Sequence, residues 1–152
     1  MDKKLWLKIA AGVSFFMAIC QTVISLSPAA AAYFQAPPPL LENRLQLFLV
    51  GEGAALILVI FGLYALSGAG SIPRLPLLRL GLIGISSLYL LRGLFFILTL
   101  LVILGILEGE ILVQGVISTL VFLAAGIAYA VGTALNWREM QIKLQPFQDY
   151  ST

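Results

Sequence analysis

The chain has 152 residues, 61% of them hydrophobic and only 11% charged, with a formal net charge of +2. That make-up lies far outside a soluble globular domain, and so small a charge with no basic stripe argues against a nucleic-acid partner. With no histidine and a single cysteine, Cys20, the chain has no means of building a His-ligated haem, a His-based acid–base pair, an internal disulfide or a multi-cysteine metal site; no cofactor or metal is expected.

A helix needs about 20 apolar residues to cross the hydrocarbon core of a bilayer. Four runs qualify, at about 5–26, 45–66, 80–104 and 111–135. They are continuously apolar and Leu-rich, whereas the strands of a membrane barrel alternate. The expected fold is therefore an all-α integral membrane protein, one antiparallel up-down-up-down bundle of four transmembrane helices filling 1–152. Both termini are expected in the cytosol, with an outer Pro-rich loop at 27–43, a cytosolic turn at 67–79 and a cytosolic tail at 136–152.

Lys3, Lys4 and Lys8 gather at the start of the first run, as in a segment whose start stays in the cytosol. The Ala-rich stretch at 29–32 also suits a signal-peptidase site. An uncleaved helix is the better reading, because Ser14, Ala18, Gln21 and Ser25 recur at i, i+4, i+7 and i+11 and make one small or polar stripe. In the loop that follows, Ser27 and Pro28 predict a short capped helix ending near Tyr33 and Phe34. Pro37, Pro38 and Pro39 then predict an extended left-handed stretch. The loop reads either as a lid on the outer mouth or as an interfacial anchor through Tyr33 and Phe34.

The second run carries Gly51-Glu52-Gly53, a carboxylate inside the span beside two residues that allow close backbone approach. It closes in Ser67-Gly68-Ala69-Gly70-Ser71, which predicts a helix stop and a tight turn. Arg74 and Arg79 flank this turn and are candidates for an anionic lipid headgroup, or simply topology signals. The third run is long enough to tilt and is interrupted by Arg92. Glu108-Gly109-Glu110 predicts a short outer turn, and the fourth run sets Gln114, Ser118, Ala125, Tyr129, Gly132 and Asn136 near one inward face. With the start inside, seven cationic residues fall on the cytosolic side and only Arg44 outside.

Counting about 1.5 Å per residue from the outer end of each run puts Gln114 about 5 Å deep, Gln21 about 7 Å, Glu52 and Ser118 about 10 Å and Arg92 about 18 Å. An arginine at that depth cannot reach either surface with a side chain of roughly 6–7 Å. Glu52 is the one carboxylate in any span, so the expected arrangement is a buried Glu52/Arg92 ion pair within a network of Gln21, Glu52, Tyr89, Arg92, Gln114 and Ser118. The alternative is that Arg92 faces a partner chain. Small pairs such as Gly51/Ala55 and Gly126/Ala130 are compatible with self-association.

These features point first to a non-catalytic accessory, scaffold or lipid-binding bundle, with membrane lipids and a homo-oligomer or another membrane protein as partners. A bacterial plasma membrane suits the charge pattern. The alternatives are a small proton- or ion-coupled transporter working as an oligomer, and an intramembrane enzyme acting on a lipid or quinone.

Overall fold

The structure is a computed structural model that describes residues 4–34, 36–104, 106 and 113–138. All regular structure among them is helical: α1 (Leu5–Leu26), α2 (Pro28–Tyr33), α3 (Pro38–Glu42), α4 (Arg44–Gly68), α5 (Leu78–Ile103) and α6 (Val113–Asn136). The helices α1, α4, α5 and α6 are each long and apolar enough to cross a membrane, and their ends lie within two residues of the predicted runs. The expected turn at Glu108-Gly109-Glu110 and the tail beyond Arg138 lie outside the described residues.

Local chemistry explains where the helices begin and stop. Ser27 Oγ accepts from Ala30 N at 3.3 Å, and Pro28 opens α2 where its missing N–H is not needed. The extended stretch predicted for three prolines is confined to Pro37 (φ −55°, ψ 139°); Pro38 and Pro39 instead open α3. Proline at the first positions of a helix loses no hydrogen bond, and its fixed φ is already helical, so a Pro-Pro pair starts a helix as readily as it extends a chain. Asn43 Oδ1 then caps α4, accepting from Leu45 N (3.1 Å) and Gln46 N (3.2 Å).

The stop predicted at Ser67–Ser71 is a Schellman closure. Gly70 adopts φ +73°, its N–H bonds to Ser67 O at 3.0 Å, and Ser71 N bonds to Leu66 O at 2.9 Å. Ser67 Oγ ties the following turn by accepting from Leu75 N (2.9 Å) and donating to Pro73 O (3.0 Å), while Tyr64 donates to Pro76 O at 3.2 Å.

Packing is closest in two pairs, α1 with α4 and α5 with α6; α1 against α6 is the main link between them. Glycines set the approach. A Cβ at Gly62 would lie 2.8 Å from the Phe15 ring, one at Gly126 would lie 3.0 Å from Leu90, and one at Gly132 would lie 2.7 Å from Leu7. The core is correspondingly built of small side chains, Ala10, Ala11, Ala65, Ala125 and Ala128, around Leu7, Leu82, Tyr89 and Tyr129. Large apolar side chains such as Phe16, Ile19, Leu45, Leu56 and Leu80 point outward instead. An exterior greasier than the interior is what a lipid solvent permits, since apolar burial drives little helix association there.

Candidate functional site

Four helices meet at one buried hydroxyl. Ser14 Oγ of α1 lies 3.0 Å from Tyr89 Oη of α5 and 2.8 Å from Tyr129 Oη of α6, and Tyr129 Oη lies 2.8 Å from Phe61 O of α4. All three hydroxyl-bearing side chains are buried. The direction of these bonds follows from counting protons. A carbonyl can only accept, so Tyr129 donates to Phe61 O. Its single proton is then used, so Ser14 donates to Tyr129. Tyr89 must in turn donate to Ser14. The result is one directed chain, Tyr89 to Ser14 to Tyr129 to Phe61 O, in which every hydroxyl proton has an acceptor. The rings close around it: Tyr89 stacks on Tyr129 with centroids 5.3 Å apart and an interplanar angle of 18°, and meets Phe61 at 5.8 Å and Phe122 at 5.6 Å.

The network expected from the sequence is distributed differently. Tyr89 is central, but its partner is Ser14. Glu52 faces α1, where its carboxylate accepts from Ser25 Oγ at 2.7 Å and from Thr22 Oγ1 at 3.3 Å; the Ser25 proton is shared with Thr22 O at 2.8 Å. Among the described residues Glu52 and Arg92 form no buried ion pair. The carboxylate is bonded instead by hydroxyls of the neighbouring helix. Gln21 is half-buried on α1 and joins neither group. Gln114 donates to Tyr33 O at 3.0 Å, fastening α2 to the start of α6, and Ser118 donates back to Gly115 O of its own helix at 2.9 Å.

Arg92 is exposed on the outer side of α5. Its guanidinium lies 5.4 Å from the Phe95 centroid and 5.3 Å from that of Phe122. A cation over aromatic faces gains about 0.5–2 kcal/mol, against a cost of about 2.5–3.5 kcal/mol for arginine at the centre of a span.

Arg79 has a structural task that the sequence did not reveal. Its Nη2 donates to Trp137 O at 2.7 Å while the guanidinium sits 4.5 Å over the Trp137 ring, so the first turn of α5 caps the end of α6. Arg79 Nε is buried with no partner. Arg74 is exposed in the turn.

Beside this clamp, a cleft of about 790 Å³ opens between α5 and α6, lined by Ile83, Ser86, Ser87, Thr133, Trp137 and Arg138. Its size is that of a small-molecule site. Thr133, only 6% exposed, is one of the lining residues, and its hydroxyl is buried and unpartnered. A threonine in an apolar helix ordinarily bonds back to its own backbone, so this one is in an unusual state. Ser86 is also buried, and Arg138 is exposed at the mouth.

Sequence reasoning missed Ser14, Tyr129, Thr22, Ser25 and Thr133 as members of polar groups. Tyr129 did stand on the face of the fourth run predicted to point inward, and Ser14 and Ser25 on the small or polar stripe of the first. Compared with known families, curated proteins and solved structures, the chain matches none.

Proposed function

We propose that the chain is a non-catalytic, lipid-binding membrane bundle whose α5/α6 cleft holds a glycerophospholipid with an anionic headgroup. The observation that carries this reading is the chemistry of the cleft: Ser86 and Ser87 among apolar walls, with the Arg138 cation at the mouth and the Arg79–Trp137 clamp alongside. Hydroxyls suit glycerol and ester oxygens, apolar walls suit acyl chain, and an arginine suits phosphate.

The position of the cleft supports the same ligand. Lys4 Nζ comes within 3.8 Å of where a Gly70 Cβ would lie, Leu7 packs on Gly132, and Arg79 bonds to Trp137 O. These contacts favour spans of alternating direction, with the basic ends of α1, α5 and α6 together. Basic residues gather on the cytosolic side of bilayers, so the cleft opens into the inner leaflet, and a bacterial plasma membrane fits that pattern. Trp137 then stands at headgroup level.

The transporter reading sets Glu52 as a titrating group against Arg92, and the enzyme reading uses Glu52 as a base and Arg92 to bind an anionic group at one site; Glu52 facing α1 and Arg92 exposed on α5 support neither. The centre of the bundle is occupied by Tyr89, Tyr129, Phe61 and Ser14, which favours recognition at the surface over passage through the middle.

The test is thermal unfolding of detergent-purified protein with added phosphatidylglycerol or phosphatidylcholine. A ligand held only by the folded state at about 100 times its Kd stabilises by about 2.7 kcal/mol. Phosphatidylglycerol should raise the midpoint more than phosphatidylcholine, and Arg138→Gln should remove most of the difference. Equal shifts from the two lipids in the unaltered protein would defeat the proposal.

A further inference from the structure

Arg92 poses a problem that the lipid site does not address. It lies 14 residues after Leu78 and 11 before Ile103, about 21 Å and about 17 Å along the helix axis, so it sits near mid-span. It is exposed, and among the described residues it forms no ion pair; its guanidinium lies over two phenyl rings. Its side chain reaches roughly 6–7 Å and does not approach a surface about 15 Å away.

The surface beside it has the form of a helix-docking seam. Gly84, Leu88, Leu91 and Phe95 recur at i, i+4, i+7 and i+11, the spacing of a packed helix pair. Leu88, Leu91 and Phe95 are 56%, 61% and 52% exposed. A Cβ at Gly84 would meet nothing within 4 Å, so another backbone can come close there. Arg92 flanks this stripe on the side of Phe122.

We infer that this face of α5 docks a transmembrane helix of a partner protein that carries a carboxylate at mid-depth, with Arg92 as its counter-charge. A second copy of this chain is the less suitable occupant. The one carboxylate in the described spans, Glu52, is turned toward α1 and already held by Ser25 and Thr22. The inference stands apart from the lipid proposal, because the seam and the cleft share no residue.

The experiment uses the whole protein, donor-labelled and reconstituted in phosphatidylcholine vesicles, with an acceptor-labelled poly-leucine transmembrane helix containing one central glutamate or, as its twin, one central glutamine. Energy transfer should report association of the glutamate helix at least about tenfold tighter than the glutamine helix, and Arg92→Leu should abolish the preference. Equal association of the two helices with unaltered protein overturns the inference, and that comparison requires no variant to fold. A preference that survives Arg92→Leu also overturns it. If the protein self-associates without peptide, and both Arg92→Leu and Glu52→Gln separate the copies, the occupant is a second copy and the hetero-partner inference fails.

Discussion

The proton of Tyr129 decides how the central hydroxyls are arranged, and the arrangement ranks three substitutions. Tyr89 only donates, so Tyr89→Phe leaves the bonds from Ser14 to Tyr129 and from Tyr129 to Phe61 O intact; it should cost about 0.6 kcal/mol, the average for a side-chain hydrogen bond between membrane helices. Ser14→Ala leaves the Tyr89 proton with no acceptor, and Tyr129→Phe leaves one proton too many between Ser14 and Tyr89. Each should cost about 1–3 kcal/mol, the range for stranding a buried polar group. Denaturant unfolding in detergent micelles measures all three, and a Tyr89→Phe variant as unstable as Ser14→Ala would show that the chain does not run in this direction. The residue scale is also where the sequence was least legible. Tyr89 and Arg92 are three positions apart, only about 60° around a helix, yet one is in the core and the other on the outside. No pattern in an all-apolar run marks so narrow a boundary, and the pairing of Arg92 with Glu52 depended on it.

Among the elements, legibility followed contrast. The stripe Ser14, Ala18, Gln21, Ser25 stood out against Leu and Phe, and three of its four members are buried in α1, with Gln21 half-buried. The face of α6 through Ala125, Tyr129, Gly132 and Asn136 is likewise buried. In α5, Leu, Ile and Phe surround the helix on every side, so its orientation is set by what it packs against, Tyr64 at Gly81 and Leu123 at Gly93. Helix α4 yields a sharp comparison within one triplet. A Cβ at Gly51 would collide with Ser25, whereas one at Gly53 would meet nothing within 4 Å. Gly51→Ala should therefore destabilise the protein by about 1–3 kcal/mol through overpacking. Gly53→Ala should stabilise it by up to about 1 kcal/mol, since alanine is the better helix former. Paired unfolding midpoints check this, and a loss of stability at Gly53 equal to that at Gly51 would mean that α4 is rotated about its axis.

At the scale of the whole molecule, the membrane reading makes a claim about sides. In a Cys20→Ser background, a cysteine at Pro39 should react with a membrane-impermeant maleimide added to intact cells, and one at Ser71 only after the membrane is opened; the opposite pattern would invert the proposed orientation. Span number and span ends were legible because bilayer thickness dictates them, while the joining of the spans at Ser14 was not, because it depends on contacts 75 and 115 residues away. That separation has a consequence for how the protein is made. At a synthesis rate of about 5–20 residues per second, Tyr129 is added roughly 6–23 s after Ser14. For roughly the first 4–15 s of that interval neither hydroxyl partner of Ser14 exists, and once Tyr89 is added Tyr129 is still missing. The four spans can therefore enter the membrane one by one, but the bundle acquires its final register only when the last of them arrives, which makes the closing helix the timekeeper of assembly.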